Sequence, residues 1–110
     1  MAKKSRDEVL RIVREFRSEI ERIYGDRLRA VYLYGSYARG DARDDSDIDI
    51  AVVLNGPVDP SCERRRLSEL RAKLSLRENC LIMPFYLSDA DHTETPEGIH
   101  RNIRREGQPV

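Results

Sequence analysis

Leu33-Tyr34-Gly35-Ser36-Tyr37-Ala38-Arg39-Gly40, followed after five residues by Ser46-Asp47-Ile48-Asp49-Ile50-Ala51-Val52, decides how this chain is read. The stretch Leu28 to Tyr34, with Val31, Leu33 and two tyrosines, reads as a strand. Gly35-Ser36 breaks it, and a short helical turn follows through Arg39. Gly40 to Ser46 is a polar loop rich in Asp and Arg. Ile48 to Leu54 is a second strand, apolar enough at Ile50, Val52 and Val53 to be central in a sheet. A glycine-serine turn thus stands at the end of one strand and an Asp-x-Asp pair at the start of the next.

The two aspartates matter first. Side chains at i and i+2 of a strand share a face, so Asp47 and Asp49 converge. Two carboxylates that close repel, and a cation between them relieves the repulsion. Mg²⁺ suits such a place, because it takes one or two carboxylates and completes its shell with phosphates and water. Asp45, Asp47 and Asp49 also mimic the first ligands of a calcium loop. That reading fails, because Ile50 stands where the loop needs Gly and Gly56 where it needs Glu.

The turn is the second half of the site. Glycine lets backbone amides approach a ligand closely. A helix starting after Gly35 would aim free N–H groups at a phosphate, with the Ser36 hydroxyl as a further donor. The chain has no Gly-x-x-x-x-Gly-Lys-Ser/Thr loop, and its glycine spacing does not fit the dinucleotide fingerprint. Arg39 and Arg43 flank the loop, and each either neutralises phosphate or pairs with Asp41, Asp44 or Asp45. Ser46 caps or braces the Asp loop.

The remaining elements follow from periodicity. Val9, Ile12, Val13, Phe16, Ile20 and Ile23 recur at helical steps and predict a helix over residues 6–24. Ser5 and Glu8 form its capping box and Gly25 ends it. Asn55-Gly56-Pro57 is a turn. Ser61 caps a second helix running to Arg77, with Leu67, Leu70 and Leu74 inward. Cys80 to Leu87 is a third strand, which Pro84 assigns to an edge or a bulge. Residues 89–95 read as a loop. Pro96 to Arg105 form a last helix, closed by Gly107. The order helix, strand, strand, helix, strand, helix gives an α/β (α+β) class with one small sheet.

The 110 residues fit one domain over 1–110. Twenty basic and twenty acidic residues cancel, so net charge gives no support to a nucleic-acid partner. Cys62 and Cys80 lack metal spacing and are not expected to form a structural disulfide. Met1 to Glu8 is polar, without a targeting core, and no apolar run reaches the ~20 residues of a membrane helix. A cytoplasmic protein is expected. An exposed face of the first helix or an edge strand offers a surface for a homo-oligomer.

The uninterrupted pattern Gly-Ser, ten residues, Asp-x-Asp resembles that of the minimal nucleotidyltransferases, within the DNA polymerase beta-like nucleotidyltransferase superfamily. The likeness covers about a quarter of the chain. It implies a mixed sheet flanked by helices, with the site at an open edge. It implies that Asp47 and Asp49 are catalytic and bind Mg²⁺, in a two-metal site, and that Gly35 and Ser36 hold the triphosphate; Arg39 and Ser46 complete the candidate nucleotide-binding set. It further implies ATP as substrate and adenylyl transfer to a hydroxyl acceptor. Members of this size are often paired with a helical HEPN-type toxin, on which the nucleotidyltransferase acts as antitoxin.

One part of the family pattern is missing. A third carboxylate normally stands on a neighbouring strand, yet Leu81-Ile82-Met83-Pro84-Phe85-Tyr86 contains no acid. Glu78, Asp89 and Asp91 lie just outside it. This keeps a second reading open: a non-catalytic nucleotide- and metal-binding module that docks to a partner protein. His92 and His100 are isolated. Arg101, Arg104 and Arg105 either meet a phosphate-bearing partner or form a solvated helix face. Tyr32, Tyr34, Tyr37 and Tyr86 either stack a base or reflect β-propensity.

Overall fold

Ser5 and Glu8 start the first helix, α1 (Arg6–Tyr24), by capping each other. The Ser5 hydroxyl accepts from the Glu8 amide and the Glu8 carboxylate accepts from the Ser5 amide, both at 3.2 Å. Val9, Ile12, Val13, Phe16 and Ile20 face the core. Ile23, expected to join them, is exposed, and Tyr24 takes the inward place beside Glu63. In this computed structural model, residues 2–94 and 98–110 are described.

A 3₁₀ turn, Gly25–Arg27, leads into β1 (Leu28–Tyr34), α2 (Ser36–Arg39) and β2 (Ile48–Leu54). Then come α3 (Pro60–Arg66), α4 (Ser68–Glu78), β3 (Ile82–Ser88), α5 (Asp89–Glu94), α6 (Gly98–Glu106) and β4 (Gln108–Pro109). The sheet order is β3-β2-β1-β4. β1 is antiparallel to β2 and to β4, whereas β2 and β3 run parallel. The sheet is therefore small and mixed, as expected. β3 is an edge strand, which accommodates Pro84 and its missing N–H.

β2 shows why its sequence is apolar almost throughout: both its faces are covered. Ile48, Ile50, Val52 and Leu54 pack with α1 and with Leu67 and Leu74. Ala51 and Val53 pack on the other face with Tyr34, Leu87 and Ile103 of α6. Helices thus cover both faces, and the start of β2 emerges between them at one end of the sheet.

Three sequence expectations need correction. The second helix is capped by Asp59, not Ser61: the Asp59 carboxylate accepts from the Ser61 amide at 3.0 Å, with Pro60 at the first helical position. That helix also breaks at Leu67, which is fully buried between α3 and α4. Residues 89–94 are helical rather than a loop, because the Ser88 hydroxyl accepts from the Asp91 amide at 3.0 Å and caps α5. The expected start of the last helix at Pro96 lies outside the described residues. β4 was not expected at all, since two residues carry no periodicity.

Glu63 on α3 is the buried acid of this core, 2% exposed. It accepts from the Tyr24 hydroxyl at 2.8 Å and pairs with Arg27 and Arg66, each at 3.2 Å. The network ties α1, the 3₁₀ turn and α3 together. Removing the acid leaves the tyrosine hydroxyl buried without its acceptor. Glu63→Ala should therefore cost about 3 kcal/mol in urea unfolding. A loss below about 0.5 kcal/mol would show that the network is energetically idle. Among the described residues no helix is long and apolar enough to cross a membrane.

Candidate active site

Alternation along β2 aims Asp49 away from α1. Ile48 and Ile50 on either side of it face the α1 layer, so Asp49 shares the opposite face with Ala51 and Val53. Asp47 lies just ahead of the strand. Asp49 is partly buried, and its carboxyl is pushed up to about 6. Burial is the largest cause and the Asp47 carboxylate the next; Arg39 opposes the shift and Glu106 adds to it. Tyr34, opposite Asp49 in β1, is pushed up to about 12 by burial first and then by Asp49. Two carboxylates are thus held together at a cost that a cation would relieve.

Gly35 explains how the turn meets this pair. Its backbone has φ 76° and ψ −155°, a region that only glycine enters readily. A Cβ placed on it would overlap Asp49 Oδ2 and lie 3.1 Å from Asp49 Cγ. The backbone therefore runs directly over the carboxylate. Ser36 then opens α2. The Ala38 and Arg39 amides donate to the Gly35 carbonyl at 3.1 and 3.0 Å. The Ser36 and Tyr37 amides have no acceptor among the described residues, as the first turn of a helix requires.

The other expected residues take different places. Arg39 is half-exposed; its Nε donates to Asp41 at 3.2 Å, and its Nη1 donates to both Glu106 oxygens at 3.2 and 3.3 Å. Ser46 braces the loop: its hydroxyl accepts from the Arg43 amide at 2.7 Å, and its own amide donates to the Arg43 carbonyl at 3.0 Å. The N-terminal arm also secures this loop. The Lys3 amide donates to Asp44 at 3.3 Å and the Lys4 amide to the Tyr37 hydroxyl at 3.1 Å.

None of the three outlying acids joins Asp47 and Asp49. Met83 stands opposite Asp49 on β3. Asp89 and Asp91 begin α5 at the far end of the sheet, beyond Ser88, which pairs with Leu54. Glu78 is held by Arg11 at 2.7 Å and Arg77 at 2.9 Å, which pull its carboxyl down to about 2. The acid that does approach is Glu106, at the end of α6. Nothing in the sequence marks it, 57 residues beyond Asp49. Among the described residues no group of three or more acids, histidines or cysteines is gathered for a metal. The donor set still suits Mg²⁺: two hard carboxylates on a glycine cradle, with phosphate and water to supply the rest.

The chain is similar to several known proteins. The pattern of the family described as Polymerase beta, Nucleotidyltransferase matches residues 11–110. "Putative protein adenylyltransferase MJ0141" of Methanocaldococcus jannaschii is 34% identical over 77 residues, covering 70% of this chain and 77% of its own. A crystal structure of a "putative nucleotidyltransferase" from Sulfolobus solfataricus superposes with TM-score 0.63 at 22% identity, covering 99% of this chain and 89% of that one. A toxin-antitoxin structure with AMP-PNP superposes with TM-score 0.54 at 20% identity, covering 96% and 72%. A match over all but the first ten residues, on a fold with Gly35 seated against Asp49, leaves one conclusion: the chain belongs to the Polymerase beta nucleotidyltransferase family.

Proposed function

We propose that this protein transfers an adenylyl group from ATP to a hydroxyl on a partner protein. The observation that carries the reading is the contact of the Gly35 backbone with Asp49: a phosphate held by the turn would adjoin a cation held by the aspartates. The name of the methanogen relative supports adenylyl as the group and protein as the acceptor. The toxin-antitoxin neighbour with AMP-PNP supports ATP and a toxin-like protein partner; a helical HEPN-type toxin is the partner we propose.

In this reading the acceptor oxygen attacks the α-phosphorus. A new P–O bond forms, the bond to the β-phosphate bridging oxygen breaks, pyrophosphate leaves and the hydroxyl proton passes to solvent. Mg²⁺ on Asp47 and Asp49 would neutralise charge on the attacking and leaving oxygens. The Ser36 and Tyr37 amides and the Ser36 hydroxyl donate to phosphate oxygens. Ser46 acts indirectly, by fixing the loop that delivers Asp47. Orientation and fixed charge account for the remaining rate gain.

The test is incubation with labelled ATP, Mg²⁺ and the candidate partner. Label should appear on the partner, and Asp47→Asn should lower transfer about 10³-fold with the fold intact by circular dichroism. The acid-free β3 position at Met83 favours the second reading, a binding module without turnover. ATP binding without label transfer or pyrophosphate release, across several partners, would establish that reading instead.

A further inference from the structure

β3 has no neighbouring strand on its outer side, where a cavity of about 270 Å³ is lined by Arg64, Arg71, Met83, Pro84 and Tyr86. We infer that this edge docks an extended, acidic segment of a partner protein as a fifth strand, with Arg64 and Arg71 receiving its carboxylates. The docking stands on the edge itself. That the segment belongs to the protein receiving the adenylyl group rests on the function proposed above.

The backbone shows which groups are open. The Ile48 amide donates to the Leu81 carbonyl at 2.9 Å, and Ile48 pairs with Ile82 in parallel register. The backbone groups of Leu81, Met83 and Phe85 therefore point to β2, and those of Ile82, Pro84 and Tyr86 point away. The chain closes the first outward position itself. The Ile82 amide donates to the Ser75 hydroxyl at 3.3 Å, and Arg71 Nε donates to the Ile82 carbonyl at 2.6 Å. Pro84 has no N–H to satisfy. The Pro84 carbonyl and the Tyr86 amide and carbonyl have no partner among the described residues. These three groups form a short ladder that an added strand completes. β4, at the opposite edge, is two residues long with Pro109 as one of them, and offers no such ladder.

Charge selects the occupant. Arg64 is exposed and Arg71 half-buried, and neither makes an ion pair among the described residues. Arg71 is fixed by its bond to the Ile82 carbonyl and by Nη2 against the Met83 sulfur at 3.2 Å. No acid lines the cavity. Two guanidiniums without a carboxylate suit acidic side chains. The open ladder favours a peptide over other polyanions, because a nucleic acid has no backbone amides to complete it.

Alternation ties this edge to the candidate active site. Met83 pairs with Asp49 and Phe85 with Ala51, so these β3 side chains share the Asp49 face. Ile82 and Tyr86 lie on the other face, in the layer that holds Leu67 and Leu74. A fifth strand repeats the alternation. Acids at every second residue meet Arg64 and Arg71. The residues between them stand beside Met83, two strand spacings or about 10 Å from the Asp49 backbone, on the face where transfer is proposed.

Two blocked heptapeptides probe the full chain: one alternating glutamate and threonine, the other with lysine for glutamate. Titration calorimetry reads affinity, and amide hydrogen exchange at saturating peptide reads the Tyr86 N–H. The glutamate peptide should bind about tenfold or more tightly than the lysine peptide, and Arg64→Glu should weaken it about fivefold. It should also slow Tyr86 exchange about fivefold or more. Equal binding of the two peptides, no binding at millimolar concentration, or unchanged Tyr86 exchange would overturn the inference. So would Tyr86 protection that rises with protein concentration alone, which gives the edge to a second copy of this chain. Displacement of the glutamate peptide by an equal concentration of single-stranded oligonucleotide would give the groove to nucleic acid and overturn it too. Label transfer to a partner without peptide binding removes only this inference. Peptide bound at the edge without transfer to any partner removes only the enzymatic reading.

Discussion

Asp49→Asn will make the ligand-free protein more stable at pH 8, by about 1–2 kcal/mol, while lowering nucleotidyl transfer about 10³-fold or more. The gain follows from the elevated Asp49 pKa. Its carboxyl titrates near 6 in the folded chain, against an ordinary value of 3.8. The folded state thus favours the protonated form. The stability this contributes is fully present below about pH 3.8 and is lost as pH rises through about 6. Full conversion of the shift would give about 3 kcal/mol, and solvent around the partly buried group reduces it. Asparagine stays neutral, so the variant keeps at pH 8 what the wild type has lost. The excess stability should vanish near pH 3.5, where wild-type Asp49 is itself protonated. Urea midpoints at pH 4, 6 and 8 measure this directly. A variant no more stable than wild type at pH 8 would refute the claim that burial and Asp47 strain this carboxylate. Divalent cations bind the ionised form, so wild-type affinity for cation and nucleotide should fall as pH drops below about 6.

The same residues show what could be seen from sequence. Strand period alone gives the face of Asp49, whereas Asp47 stands one residue ahead of β2; Gly-Ser after a strand gives a turn. α1, β1, α2 and β2 match their expected spans because each is set by local signals: a capping box, a glycine, an apolar run. Glu106 and Glu63 are the opposite case. Each acquires its role from partners far along the chain, Arg39 for Glu106 and Tyr24 with Arg27 for Glu63. No short pattern encodes such contacts. Ser61 and Asp59 show a smaller failure of local reading. Both residues can cap, and Pro60 between them decides for Asp59, because proline is favoured at the first helical position, just after the cap. The sequence around β3 suggests acid neighbours for Asp49, whereas the parallel pairing carries Asp89 and Asp91 to the far end of the sheet.

Gly35→Ala should cost about 2–4 kcal/mol of stability and about 10²-fold or more in transfer. Two effects combine. The added Cβ is forced into a backbone region that disfavours every side chain, and it meets the Asp49 carboxylate within overlap distance. Either Asp49 or the turn must move, and the proposed phosphate donors then separate from the proposed cation ligands. Gly25 provides the comparison. It also has positive φ, at 55°, but a Cβ there meets nothing within 4 Å. Gly25→Ala should cost about 1–2 kcal/mol and leave transfer unchanged. A double-mutant cycle isolates the collision from the strain. In an Asp49→Ala background the opposing carboxylate is gone, so the penalty of Gly35→Ala should shrink to that of Gly25→Ala. Urea unfolding of the four proteins reads the coupling, expected at about 1–2 kcal/mol. Additive penalties would mean that the turn and the carboxylate do not bear on each other. The Gly35 backbone would then lose its place as the link between phosphate and cation sites.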